Sequence, residues 1–392
     1  MRTRIVFTCF CVCILLTACV SQASPNSLAV EETSTPSVIV ETPISVSQAE
    51  TETTQPTNST PTVLQPSEVI SPVFVFLKKD TLMMQVSEIS PKPVGIFTDL
   101  GKIKDALLAD KTVFLIRDNG IQRINLTDGS NDILLHFDAS IGSGKLLWDT
   151  NNSRIFYDGI NNDIRDSLIG YIDLEEATVN PVLSYTDPLV ALFIIGVTED
   201  GQGLYCLPHG QDPDIGKMLL VNIDQGTISR ELSVRGYNYA VLAPDSRHLA
   251  TSAQVIDASG QLENVINIYD LPSLPLTSPK IFKLPNLTSM FGNNGFYWSP
   301  DGKKLYFMLI ENKDDPSTSI SDGMWVLDVE TGSMHTVADI TDPTTYINGV
   351  SPDGAWILVR STTKDEAFLI NTQTGEVHSF SVPLDAILAG WQ

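Results

Sequence analysis

Residues able to do chemistry are few in this chain, and they are scattered. The five histidines, His136, His209, His248, His335 and His378, share no spacing that would gather a metal or a general base on one face. No G-x-S-x-G turn and no H-E-x-x-H segment occurs, so the linear signs of a serine hydrolase or a zinc peptidase are missing. Three acid-rich stretches could offer oxygen ligands to calcium: "DGINNDIRD" (Asp158 to Asp166), "GQDPDIG" (Gly210 to Gly216) and "ENKDDPSTSISD" (Glu311 to Asp322). None has EF-hand spacing or its closing Glu, and a solvated turn accounts for each. Of the five cysteines, Cys9, Cys11 and Cys13 fall in an apolar leader, which leaves Cys19 and Cys206. Cys206 ends the apolar run "GLYC" and reads as a small buried hydrophobe. No catalytic, metal or cofactor-binding residue is assigned from these patterns, and no cofactor is expected.

Cys19 is the exception, because its setting is specific. Arg2 and Arg4 precede an apolar stretch, Ile5 to Leu16, too short for a comfortable membrane span. The stretch ends in "LTAC", Leu16 to Cys19. This resembles the lipobox of bacterial lipoproteins, a branched apolar residue and two small residues before Cys. The resemblance implies that residues 1–18 are a cleaved signal peptide and that the Cys19 thiol carries the lipid. Two or three acyl chains would anchor the protein stably to a membrane. With Cys19 lipidated, Cys206 has no disulfide partner.

Residues 19–72 form a tether. The stretch is rich in Ser, Thr, Pro, Glu and Gln, and no Lys or Arg occurs between Ile5 and Leu77. Such a segment cannot bury enough apolar surface to offset its chain entropy, so it is expected to be disordered. Its reach as a coil is roughly 40 Å. The chain as a whole carries a formal charge of −23. That excludes nucleic acid as a natural partner and disfavours a bare anionic bilayer.

The remaining residues, 73–392, must position any site, and they repeat. "WSPDGKKLYF" (298 to 307) recurs as "VSPDGAWILV" (350 to 359). Looser copies begin at 107, 148, 197 and 242, which gives spacings of 41, 49, 45, 56 and 52 residues. Pro300 and Pro352 suit the first central position of a type I turn, Asp301 and Asp353 the second, and Gly302 and Gly354 the left-handed place after it. The runs that follow are apolar on consecutive residues, so both faces of those strands are expected to be buried. A second turn recurs in "RINLTDG", "LVNIDQG", "WVLDVETG" and "FLINTQTG", with weaker copies in "YIDLEEA" and "INIYDLP". Each unit therefore reads as four antiparallel strands, and four-stranded units arranged radially make an all-β fold, a β-propeller.

The two SPDG motifs resemble the repeat of TolB-type propellers and, more distantly, the WD repeat. Trp391 aligns with Trp148 and Trp298, which open their units. The C-terminal strand is therefore expected innermost in a sheet otherwise built by residues 73–98, for seven blades in all, with six or eight left open by the weak match of the first unit. "SPDGAW" (Ser351 to Trp356) is near the Asp box of sialidase-like propellers, but Asp353 and Gly354 adjoin where that motif separates them. The leading functional expectation is a lipid-anchored, extracytoplasmic, non-enzymatic domain in the cell envelope. It would be a monomeric domain, held to the membrane through the lipid anchor at Cys19, that binds an envelope protein, a peptide or a glycan on one propeller face. The insertions at 252–265 and 311–323 are expected to be polar recognition loops. The alternatives are an exported enzyme, a glycosidase, lyase or cyclase with acids in the central funnel, and a structural subunit of an envelope complex.

Overall fold

The computed structural model describes residues 73–78, 81–86, 92–96, 102–137, 141–149, 151–161, 166–186, 191–209, 216–234, 240–256, 259–271, 278–285, 289–311 and 320–391. The signal segment, Cys19 and the tether lie outside these residues, as do most of the second and third acid-rich stretches.

Three strands come first: β1 (Val73–Lys78), β2 (Thr81–Val86) and β3 (Lys92–Ile96). The first sheet is β4 (Ile103–Ala109), β5 (Thr112–Arg117), β6 (Gly120–Asn125) and β7 (Asn131–His136). The second is β8 (Ile141–Asp149), β9 (Arg154–Asn161), β10 (Asp166–Asp173) and β11 (Thr178–Thr186). The third is β12 (Ala191–Val197), β13 (Gly203–His209), β14 (Lys217–Asn222) and β15 (Thr227–Ser233). The fourth is β16 (Ala240–Leu242), β17 (His248–Ile256), β18 (Leu262–Asp270) and β19 (Lys280–Lys283). The fifth is β20 (Ser289–Trp298), β21 (Lys304–Glu311), β22 (Ile320–Asp328) and β23 (Met334–Ala338). The sixth is β24 (Thr345–Val350), β25 (Trp356–Ser361), β26 (Ala367–Asn371) and β27 (Val377–Phe380). The last strand, β28 (Ile387–Trp391), pairs antiparallel with β1 to give a composite sheet of order β28-β1-β2-β3.

The protein is thus an all-β propeller of four-stranded antiparallel blades. Six sheets use four consecutive strands each, and the composite sheet joins the two ends of the domain. No helix occurs among the described residues.

Burial on both strand faces explains the uninterrupted apolar runs. In β5, Val113 and Leu115 pack toward the composite sheet, while Phe114 and Ile116 pack toward the second sheet. In β21, Leu305, Phe307 and Leu309 face the fourth sheet, and Tyr306 and Met308 face the sixth. Each such side chain contributes about 1.5–3 kcal/mol when fully buried.

The repeated turns use one hydrogen-bond plan. The Gly302 N–H donates to the Ser299 carbonyl at 2.9 Å, and the Gly354 N–H to the Ser351 carbonyl at 2.8 Å. Gly302 and Gly354 have φ of 67° and 71°, where a glycine avoids the Cβ penalty. The Ser299 hydroxyl donates to Asp301 at 2.5 Å and accepts the Lys304 N–H at 2.9 Å. Ser351 does the same with Asp353 at 2.6 Å and Trp356 at 2.9 Å. Thr198 repeats it with Asp200 and Gly203. This is a turn network, so "SPDGAW" acts as structure. The second recurrent turn is held by an Asx acceptor: Asn125, Asp173, Asn222, Asp328 and Asn371 each accept a backbone N–H two or three residues on.

The insertion at 252–265 differs from expectation. It is not a loop but a prolongation of β17 and β18, paired as far as Ile256↔Leu262. Its polar composition hid the strand, because its outer end, at Gln254, Ile256 and Leu262, is exposed. The insertion in the fifth unit likewise sits between the second and third strands, where Glu311 pairs with Ile320, and residues 312–319 lie outside the described set.

Candidate functional site

The innermost strands are β28, β4, β8, β12, β16, β20 and β24. Their inward edges carry N–H and C=O groups that no ladder satisfies, which is costly unless side chains or water answer them. These strands are also irregular. Register shifts occur in β4, β8, β12, β20, β24 and β28. Such bulges twist a strand and re-aim its side chains.

Two carboxyls answer neighbouring edge amides. Asp105, on β4, accepts the Leu146 N–H of β8 at 2.8 Å. Asp158, on β9, accepts the Lys145 N–H at 2.9 Å and the Ile194 N–H of β12 at 2.8 Å. Each carboxyl therefore bonds across a seam between sheets. Ser167 joins the second seam by accepting the Leu192 N–H at 2.9 Å. Asp105 is half-buried, Asp158 is 1% exposed, and the Lys145 side chain is exposed.

The electrostatics single out the same group. Burial raises the Asp105 carboxyl above its ordinary value, against the pull of the Leu146 and Ala106 amides and the Lys145 charge. Burial also pushes Asp158 up to about 6, with the Asp105 charge adding to the rise. Tyr297, on β20, is pushed up to about 12 by burial, then by Tyr346 of β24 and by Asp105. Asp105, Lys145, Tyr297 and Tyr346 thus come from four inner strands, with Lys145 acting on Asp105, and Tyr346 and Asp105 acting on Tyr297. Perturbed carboxyls beside an ammonium and phenols mark a functional-site candidate. Such a set can exchange protons and can hydrogen-bond a polyhydroxy molecule.

The residues weighed from the sequence lie elsewhere. Cys206 is fully buried on β13, and burial raises its thiol, which fits an inert packing role. His248 bonds Asp245 at 2.8 Å in a turn. His378, on the outer strand β27, lies 3.4 Å from Glu376. His335 and His136 are exposed on the outer strands β23 and β7. His209 ends β13. Asp158, the first residue of "DGINNDIRD", is spent on backbone amides rather than on a calcium loop. Among the described residues no three His, Cys, Asp or Glu side chains come together so as to hold a metal ion. Asp105, Lys145, Tyr297 and Tyr346 carried no linear signal. Each lies one to four residues upstream of a repeat start, a place that the sequence pattern does not mark.

No protein-family model matches this sequence, and no curated protein sequence matches it. Solved structures do match in fold. An oligogalacturonate lyase in complex with manganese is 13% identical with a TM-score of 0.52, covering 77% of this chain and 83% of its own. A protein described as a 6-phosphogluconolactonase from Bacteroides fragilis NCTC 9343 is 12% identical with a TM-score of 0.51, covering 84% and 99%. The oligogalacturonate lyase of Vibrio parahaemolyticus is 12% identical with a TM-score of 0.50, covering 80% and 86%. At these identities the likeness is one of fold, and it places this chain among β-propellers.

Proposed function

We propose that this chain is a lipid-anchored, extracytoplasmic propeller of the TolB-like kind, tethered through Cys19, and that it acts on a small saccharide-like molecule at its central axis. The observation that carries the enzymatic reading is Asp105, a half-buried, desolvated carboxyl beside the exposed Lys145 on adjoining inner strands. Proton transfer is the chemistry such a pair supplies, in hydrolysis, elimination or ring closure. Fold likeness to oligogalacturonate lyases and to a lactonase-like protein supports a carbohydrate substrate by analogy. The absence of a linear motif does not oppose it, because the four residues converge only in the ring. The test is turnover by the mature lipoprotein across neutral glycosides, uronate-containing oligosaccharides and sugar lactones. Asp105→Asn is expected to lower turnover about 100-fold or more. No turnover by the folded protein on any of the three classes overturns the enzymatic reading.

A second reading, binding without turnover, is favoured by the ribbon formed by β17 and β18. Its tip exposes a cross-strand pair, Ile256 at 72% and Leu262 at 61%. Exposed apolar pairs on a protruding ribbon suit recognition of another protein. Ile256→Ser with Leu262→Ser is expected to leave stability within about 0.5 kcal/mol and to weaken crosslinking to envelope partners. Unchanged crosslinking removes the support for this reading.

A further inference from the structure

We infer that the seam between the second and third sheets is an acid-tightened clasp, held by the Asp158 carboxyl and loosened as that carboxyl ionises. The geometry is specific. Asp158 reaches from the second strand of its sheet to two inner edges, at Lys145 on β8 and Ile194 on β12. Ser167 makes the parallel contact to Leu192, two residues along β12. Around them the seam is filled by apolar side chains, including Phe156, Ile169, Leu192 and Ile194.

The charged and titratable groups facing Asp158 are few. Lys145 of β8 attracts its charge and Asp105 of β4 repels it. Cys206 of β13 is neutral, its thiol raised by burial and by Asp158. From β10, the residue in register is the apolar Ile169. The two amides and Lys145 favour the ionised carboxyl, but burial outweighs them and sets it at about 6. In an opened seam the same carboxyl meets water and returns toward 3.8. The closed seam therefore binds the proton more tightly than the open one. Stability from this group is fully present below the open-state value and is lost as pH rises through the window between the two. Above that window the loss is complete and constant.

The test is hydrogen exchange of the Ile194 and Leu192 amides in the full mature chain, corrected for the intrinsic pH dependence of exchange. In the native sequence, opening is expected to rise about tenfold between about pH 5 and about pH 8, with both amides moving together. In Asp158→Asn the opening is expected to be flat over the same range. Opening that is flat or falls with pH in the native sequence overturns the clasp, as does an unchanged pH dependence in the Asn variant. If the variant does not fold, carbon NMR titration of Asp158 in the native chain decides. A midpoint near 6 supports the clasp, and a midpoint at or below the ordinary carboxylate value overturns it.

Discussion

The Trp298 indole N–H donates to the Val241 carbonyl of the preceding sheet at 3.1 Å. The same place in the repeat is filled by Trp391, whose indole lies over Gly349, so that a Cβ on that glycine would stand 3.1 Å from Nε1. Two tryptophans that align in sequence therefore lean on equivalent positions of the inner strand before them. Trp298→Phe is expected to cost about 1 kcal/mol, the value of one hydrogen bond to a partly buried carbonyl. Gly349→Val is expected to cost more, and the cost is expected to shrink when Trp391→Ala is present, because the clash and its partner are then removed together. Urea denaturation of the two single variants and the double variant measures the coupling. Additive effects would show that Trp391 does not press on Gly349.

The turn aspartates and Asp158 are expected to respond to pH with opposite signs. The Ser299 hydroxyl holds Asp301 below the usual carboxylate range, Ser351 does so for Asp353, and Thr198 for Asp200. Their contribution is present above the ordinary unfolded value and is lost as pH falls through the depressed folded values. All three are solvent-exposed, so screening keeps each small, about 0.5 kcal/mol. Asp301→Ala and Asp353→Ala are expected to lower stability at neutral pH and to differ less from the native chain in strong acid. A penalty that grows in acid would contradict the assignment.

These two cases also mark what could be read in the sequence. The turns were legible because Ser, Asp and Gly act within six residues, and local geometry follows from local type. The closing strand was legible because Trp391 repeats a place already occupied by Trp298. Asp105, Lys145, Tyr297 and Tyr346 were not legible. They lie on four strands separated by up to about 240 residues, and only ring geometry brings them together. The β17–β18 ribbon was missed for a different reason. Strand periodicity reports a buried face, and Gln254, Ile256 and Leu262 protrude into solvent.

Ring closure is the feature on which the fold most depends, and Arg360 supports it from the sixth sheet. Its guanidinium, 4% exposed, donates to the carbonyls of Ala386 at 2.7 Å and Pro383 at 2.8 Å. Among the described residues no carboxylate pairs with it. Its charge is thus answered by the chain segment that leads into β28, and Asp365 accepts the Leu384 N–H of that segment at 2.8 Å. Beyond it, Ala389 packs with Val75, Leu77 and Leu108, which are 7% exposed or less. Deleting residues 385–392 removes an acceptor of Arg360, opens the inner edge of β1 and exposes that cluster. The loss is expected to be several kcal/mol, with gain of apolar-dye binding and faster proteolysis. Arg360→Met keeps the stem volume and removes the donors, leaving two partly buried carbonyls without them, at a cost of about 1–3 kcal/mol. Combined with the deletion, Arg360→Met is expected to add little, since the carbonyl of Ala386 is already gone and the strap before it is free. Urea midpoints for the two changes alone and together provide the check. Additive losses would mean that Arg360 serves its own sheet rather than the closure.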